Sequence, residues 1–284
     1  MLKKLTDRVY YMDYKKAGDR PTLGLIIGDN CSLVIDGGNS QNHAEEFLEK
    51  AKKVSKSPLK YLVITHHHWD HIVGANYMNL TTIVNGITYD KLKEQSKLEW
   101  TDEAIKERIK NGTEIEFCLE HIKIEHPDSN RKFTLPKGEI VFDEYLKIDL
   151  GGIKVSLEHI SSDHANDNTI VSVEGDDKNT VFVGDSLYLD MFNGNWSYTK
   201  SKLIPLLIEI KCCEADYVVP SHNDIYTKDS FLEFFNYMKK IALITENKLS
   251  IDEALIAFED EFKRKATISE KEDLLSFIYG NEKL

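Results

Sequence analysis

The stretch Val63-Ile-Thr-His-His-His-Trp-Asp-His-Ile-Val-Gly74 carries four histidines and an aspartate within six positions, between an apolar run and a glycine. A hydrophobic core has little use for so many ionisable groups, because each buried polar group costs free energy unless it is partnered. In extended backbone the side chains alternate, so His66 and His68 point to one side and His67 to the other. Asp70 and His71 follow where the chain turns toward the helix that Gly74-Ala-Asn implies. A metal would explain the cluster, and a metal needs further ligands from elsewhere in the chain.

Three later stretches have the right chemistry. Ser161-Ser-Asp-His164-Ala-Asn-Asp, Val181-Phe-Val-Gly-Asp185-Ser and Val218-Val-Pro-Ser-His222-Asn-Asp each place a polar residue just past an apolar, strand-like run. That shared position puts them along one rim of a sheet, where α/β proteins gather their ligands. His66, His68, Asp70, His71, His164, Asp185 and His222 then make seven nitrogen and oxygen ligands. One closed tetrahedral zinc takes four. Seven suits two ions with three private ligands each and one shared carboxylate. The absence of cysteine from these stretches fits His/Asp ligation of zinc, or of iron or manganese.

The 284 residues suffice for one large domain with an appendage, and the chain is 41% hydrophobic and 30% charged. Its formal net charge of -12 argues against a phosphate-backbone binder, which needs clustered Lys and Arg. The N-terminus has basic residues with no apolar stretch after them, so a secretory signal is not expected. No apolar run approaches the roughly 20 residues that span a bilayer. Cys31, Cys118, Cys212 and Cys213 show no paired metal spacing, and the adjacent Cys212 and Cys213 read as buried small residues. The expectation is a cytoplasmic protein without structural disulfides.

Strand-like runs at Val9–Met12, Leu23–Gly28, Ser32–Asp36 and Lys60–Thr65 are separated by turn residues, and Ser40 is placed to cap a helix reaching about Lys56. Thr88 to about Pro136 is charged and helically spaced, which reads as an excursion covering the site as a flap. Strands return at Tyr145–Ile148, Ile153–Ile160, Thr169–Val173 and Val181–Val183. The last portion reads as helices, with capping boxes at Ser250–Glu253 and Ser269–Glu272 and a stop at Gly280. The division expected is residues 1–225 as the metal-bearing domain and 226–284 as a helical extension packed on it.

Thr65-His-His-His-Trp-Asp-His71 matches the Thr-His-x-His-x-Asp-His signature, and over about residues 8–225 the chain resembles the metallo-β-lactamase fold superfamily. Asp36 in Leu33-Val-Ile-Asp-Gly-Gly38, and then His164, Asp185 and His222, stand in that family's order. The resemblance implies an α/β fold, a four-layer αββα sandwich with its metals at one edge of two facing sheets. It implies that His66, His68 and His164 hold one ion, that Asp70, His71 and His222 hold a second, and that Asp185 bridges them. Gly184-Asp-Ser-Leu-Tyr188 and the histidine motif look most like the glyoxalase II branch. Ser161–Asn168 lacks that branch's usual Gly before and Thr after the ligand histidine.

A dinuclear site lowers the pKa of a shared water and polarises the bond under attack, with Asp70 both binding metal and orienting the nucleophile. The activity expected is hydrolysis of a small carboxylic ester, thioester or lactone, with two divalent ions, zinc foremost. The alternatives are a phosphodiesterase or nuclease, a β-lactamase (which typically has Cys or Ser where Asp185 stands) and a sulfur dioxygenase-like iron oxidoreductase. The partner expected is a small-molecule substrate, with no nucleic acid and no membrane; a homodimer is allowed. His67 reads as supporting rather than ligating and Asp36 as structural. Trp69 reads as packing, with Ile72, Leu187 and Tyr188 among the apolar residues near the motifs. His43, His121, His126 and His159 read as ordinary surface or packed histidines.

Overall fold

Several strands are buried along almost their whole length, among them Leu23–Ile27, Ser32–Ile35 and Thr180–Gly184. A sheet made of such strands must be covered on both faces, and that requirement generates the architecture. The computed structural model describes residues 2–248 and 250–283. Its first sheet runs β1 (Lys3–Lys4), β2 (Val9–Met12), β3 (Leu23–Ile27), β4 (Ser32–Ile35), β5 (Leu59–Val63), β6 (Thr81–Asn85), β7 (Ile140–Phe142) in spatial order. The pairings are antiparallel as far as β4 and parallel from β4 to β7. The second sheet contains β8 (Tyr145–Asp149), β9 (Lys154–Ile160), β10 (Asn168–Glu174), β11 (Thr180–Gly184), β12 (Tyr217–Pro220) and β13 (Tyr226–Thr227). They lie in sequence order, antiparallel except for the parallel β11–β12 pair.

Three apolar clusters fill the spaces between four layers. Ile26, Leu33, Val63 and Ile83 of the first sheet meet Val155, Leu157, Val171 and Phe182 of the second. The outer face of the first sheet, with Leu25, Val34 and Leu62, packs on Phe47 and Ala51 of the helix Gln41–Val54. The outer face of the second, with Ile170, Val181 and Val218, packs on helices Lys200–Cys212, Lys228–Ile244, Ile251–Phe262 and Ile268–Asn281. This is the αββα sandwich. No helix among the described residues is long and apolar enough to cross a membrane.

The excursion forms three helices, Gly86–Gln95, Asp102–Lys110 and Glu116–Glu125, between the parallel neighbours β6 and β7. Trp100, Ile105, Leu119 and Ile122 join the outer cluster on the first sheet, so the segment is anchored by its own apolar face.

Several local expectations are corrected. Ser40 does cap its helix, accepting from the His43 amide, but that helix ends at Val54. Ser250 stands at a helix start without a side-chain capping bond. The last helix is boxed by Thr267 and Glu270, two residues before the expected pair, where Arg264 also pairs with Glu270 at 2.6 Å. Cys212 is exposed and Cys213 half-buried, because they close a helix at the surface. Gly280 does not stop the last helix, which continues to Asn281. Its bare backbone instead faces the Tyr198 carbonyl, and a Cβ there would lie 1.9 Å from that oxygen.

Gly280→Ala therefore sets two effects against each other. Alanine gains about 1 kcal/mol of helix propensity, while forcing the helix off Tyr198 costs about 1–3 kcal/mol as overpacking does elsewhere. We expect a lower denaturant midpoint for the variant; a raised midpoint would show that the helix is not docked this way.

Candidate metal centre

The side chains singled out at the rim gather beyond the carboxyl ends of strands. Asp36 follows β4, Thr65 and His66 follow β5, with Asp70 and His71 in the short helix Trp69–Ile72 next along the chain, and β9 leads to His164, β11 to Asp185 and β12 to His222. Asp36 takes a left-handed backbone conformation, φ +63°, unusual for a residue with a Cβ. From there its carboxylate accepts the Thr65 amide at 2.8 Å, the Thr65 hydroxyl at 2.9 Å and His71 Nδ1 at 2.8 Å. One buried carboxylate thus fastens the first and last residues of the histidine motif.

The seven predicted residues come together as two adjoining groups. His66, His68 and His164 form one, with His68 Nδ1 3.0 Å from His66 Nε2 and 2.9 Å from His164 Nε2. Asp70, His71, Asp185 and His222 form the other, with Asp70 Oδ2 2.9 Å from His71 Nε2 and 3.0 Å from His222 Nε2. Asp185 Oδ2 lies between them, 3.4 Å from His164 Nε2, 3.6 Å from both His71 and His222 Nε2, and 3.9 Å from His66 Nε2.

The electrostatics of the two groups differ. Burial, and then the neighbouring rings, hold His66 and His68 well below the ordinary histidine value, so this group is a set of neutral rings with converging lone pairs. In the other group burial again opposes charge, but Asp70, Asp36 and Asp185 outweigh it and push His71 well up. His222 is pushed up to about 9 because Asp185 and Asp70 outweigh its burial. Burial would raise Asp70 and Asp185, yet His71 and His222 keep both carboxylates below their usual range.

A cation answers what these groups lack. With Nδ1 engaged by Asp36, His71 Nε2 faces the two carboxylates without a hydrogen bond, and Asp185 Oδ1 is buried without a partner. Each group offers at least three nitrogen or oxygen ligand atoms within 4.8 Å of one another. Both fit divalent ions.

His67 turns away from the ligand groups, and Asp167 Oδ1 takes its Nδ1 at 2.8 Å. The other oxygen of Asp167 accepts the His67 amide at 3.0 Å and the Thr88 hydroxyl at 2.9 Å, clamping its own loop to the histidine motif and to the first helix of the excursion. Asp167 escaped sequence reading, although it lies in the His164 stretch. Asp19 escaped it too, since a lone aspartate between Gly18 and Pro21 reads as turn chemistry. Its Oδ1 stands 3.4 Å from His222 Nδ1, and burial and then Asp70 raise its carboxyl to about 7.

The groups open into a cavity of about 660 Å³ lined by Trp69, Trp100, Phe117, Tyr188, Phe192 and Trp196, among others. Helices of the excursion form one wall, and Phe117 meets Trp196 of the loop after β11 edge-to-face at 6.4 Å. Ile72 and Leu187 are core residues instead, drawn into the two outer apolar clusters. Tyr188 lies beside both groups, 5.9 Å from the His164 ring and 6.0 Å from the His222 ring, and its hydroxyl has no hydrogen-bond partner. His43 and His126 are packed histidines: His43 is buried in the first helix, and the half-buried His126 reaches the Asn39 carbonyl through Nε2 at 2.8 Å.

Comparison with known proteins agrees with this geometry. The family profile of the metallo-beta-lactamase superfamily matches residues 18–222, and the chain belongs to that superfamily. A metallo-beta-lactamase from Pontibacter korlensis superposes with a TM-score of 0.56 at 16% identity, covering 83% of this chain and 97% of the other. A beta-lactamase domain protein from Burkholderia ambifaria gives 0.60 at 15% identity, covering 98% and 87%. Identities this low speak for the fold alone. No curated protein matches the sequence. Family membership and the two His/Asp groups together support a function of the metal-dependent hydrolase type.

Asp36→Ala should be severely destabilising, by about 3–5 kcal/mol, because it strands a buried partner group rather than removing a surface ion pair. Denaturant unfolding of the metal-free protein measures this; a loss under 1 kcal/mol, the ordinary worth of a surface pair, would show that Asp36 does not fasten the motif.

Proposed function

We propose that this protein is a dinuclear metallohydrolase acting on a small carboxylic ester, thioester or lactone. The observation that carries the reading is Asp185, standing between two ligand groups that open into a cavity with several aromatic rings in its walls. His66, His68 and His164 would hold one divalent ion and Asp70, His71 and His222 the other, with Asp185 shared; zinc is the first choice and iron or manganese the next. Such a pair supplies an activated water at neutral pH and polarises the oxygen of the bond under attack.

The chain's own groups have separable tasks in this reading. Asp70, kept ionised by His71 and His222, accepts a proton from the attacking water and returns it to the leaving group. Burial pushes the Tyr188 phenol far up, so it stays protonated and serves as a hydrogen-bond donor to the substrate oxygen that gains charge. Trp69, Trp100, Phe117 and Trp196 surround an acyl chain or ring and keep water from it. The net charge of -12 favours a small substrate over nucleic acid, and nothing in the reading calls for a membrane. Four free cysteines are consistent with work in the cytoplasm.

Asp185→Asn should lose metal from both groups and activity with it, because a neutral amide bridges two cations poorly. His67→Ala should retain its metal, since that ring faces Asp167; equal metal loss in both variants, by elemental analysis, would remove the basis of the ligand assignment.

Tyr188→Phe should keep its metal content and lose about 10²-fold in kcat, the scale of deleting one oxyanion donor. A side-by-side panel of thioesters, lactones, aryl esters, bis-aryl phosphodiesters, RNA and lactam antibiotics tests the substrate class. We expect turnover in the first three. Far faster cleavage of the phosphodiesters or RNA would transfer the function to phosphoryl chemistry.

A further inference from the structure

The histidines of the two groups are backed by different chemistry. A neutral histidine that offers one ring nitrogen to a metal must carry its proton on the other, and the acceptor of that proton sets the ring's orientation and basicity. In the first group His66 Nδ1 meets the Thr65 hydroxyl at 3.2 Å, and His164 Nδ1 donates to the Leu189 carbonyl at 3.3 Å. Both acceptors are neutral. In the second group His71 Nδ1 donates to the Asp36 carboxylate at 2.8 Å, and His222 Nδ1 faces the Asp19 carboxylate at 3.4 Å.

Asp19 is held there by a dedicated set of contacts. Its loop, between β2 and β3, is tied to the rim by the Thr22 amide, which donates to the carbonyl of Ser221, the residue before His222, at 2.7 Å. Asn39 Nδ2 donates to the Gly18 carbonyl at 2.6 Å. Arg20 makes a two-pronged pair with Glu125, at 2.7 and 2.9 Å, and reaches Glu46 at 3.1 Å. Glu125 ends the third helix of the excursion, so that insertion is fastened to the same loop. Asp19 itself sits at φ +53°, a left-handed conformation that these anchors maintain.

We propose that Asp19 is a positioning residue for the second ion: its carboxylate accepts a hydrogen bond from the Nδ1–H of His222, which keeps the proton on Nδ1 and leaves Nε2 as the lone pair facing Asp70 and Asp185. The inference rests on the dinuclear reading above. It assigns the two aspartates a shared task, Asp36 behind His71 and Asp19 behind His222, and gives the second group a more anionic surround than the first. The second ion's retention then depends on Asp19, and the first ion's does not.

Two variants separate the carboxylate from the backbone. Asn has nearly the shape of Asp and tolerates left-handed φ, and Gly adopts that conformation without strain. Zinc alone is titrated into metal-free wild type, Asp19→Asn and Asp19→Gly against a chromogenic chelator, and the metal-free proteins are melted in parallel. We expect two ions in wild type and, in both variants, an unchanged first ion, a second held about 10- to 100-fold more weakly, and melting with the wild type. Wild-type affinity for both ions in the variants would overturn the inference. So would equal weakening of both ions, or metal-free variants that melt well below wild type, since either makes Asp19 a general support of the rim. Wild type that takes up fewer than two ions would instead refute the dinuclear reading, and the inference with it, before any variant is considered.

Discussion

The Asp36 carboxylate, accepting from the Thr65 amide and hydroxyl and from His71 Nδ1, is the interaction on which the site depends. The residues it fastens bracket the motif that contributes four of the seven predicted ligands. Because Asp36 follows β4 and Thr65 follows β5, the clamp joins two parallel neighbours of the first sheet at their carboxyl ends. It also fixes which nitrogen of His71 faces the other carboxylates. Removing any one of those donors would free the motif to turn, and the convergence of rings about His68 would be lost with it.

Convergence also requires the second sheet to stay in register with the first. The Thr169 amide donates to the Thr65 carbonyl at 2.7 Å, and Asp167 joins the loops bearing His67 and His164 to the helix bearing Thr88. At the far end of the strands, the hairpin around Asn30 is pinned to the turn after β8 by the Asn30 amide and the Leu150 carbonyl. The sandwich is therefore held at both ends of its strands, with an apolar layer between. Most polar groups at the rim are tolerated there because they satisfy one another.

The cavity is assembled differently. Its walls come from the excursion and from the loop after β11, segments that no periodic rule places. What fixes them is burial: Trp100, Ile105, Leu119 and Ile122 anchor the excursion on the first sheet, which leaves Phe117 to meet Trp196 at the cavity wall. The same anchoring carries Glu125 to Arg20, so an ion pair ties the wall of the cavity to the loop behind His222.

Much of this was legible in the sequence because its signals are local. The alternation that separates His67 from His66 and His68, the apolar runs ending in His164, Asp185 and His222, and the capping serine of the first helix each act within a few residues. Other features were not legible, for equally physical reasons. The last helix is capped by Thr267 and Glu270, a Thr-x-x-Glu pattern locally equivalent to the overlapping Ser269–Glu272, so neighbouring residues alone do not choose between them, and the close approach of Gly280 to the Tyr198 carbonyl is a tertiary contact that no local pattern shows. Tyr188 gains its setting, and Leu187 and Ile72 lose theirs, through tertiary packing rather than proximity to a motif. Asp19 is separated from His222 by more than two hundred residues, and only the closure of two sheets brings them within 3.4 Å. The sequence by itself determined which chemistry is present and at which strand ends, because ligand type and strand periodicity are written in neighbouring residues. Only the tertiary structure decided which carboxylate stands behind which histidine and what walls the cavity, because those contacts exist only once distant segments share one buried rim.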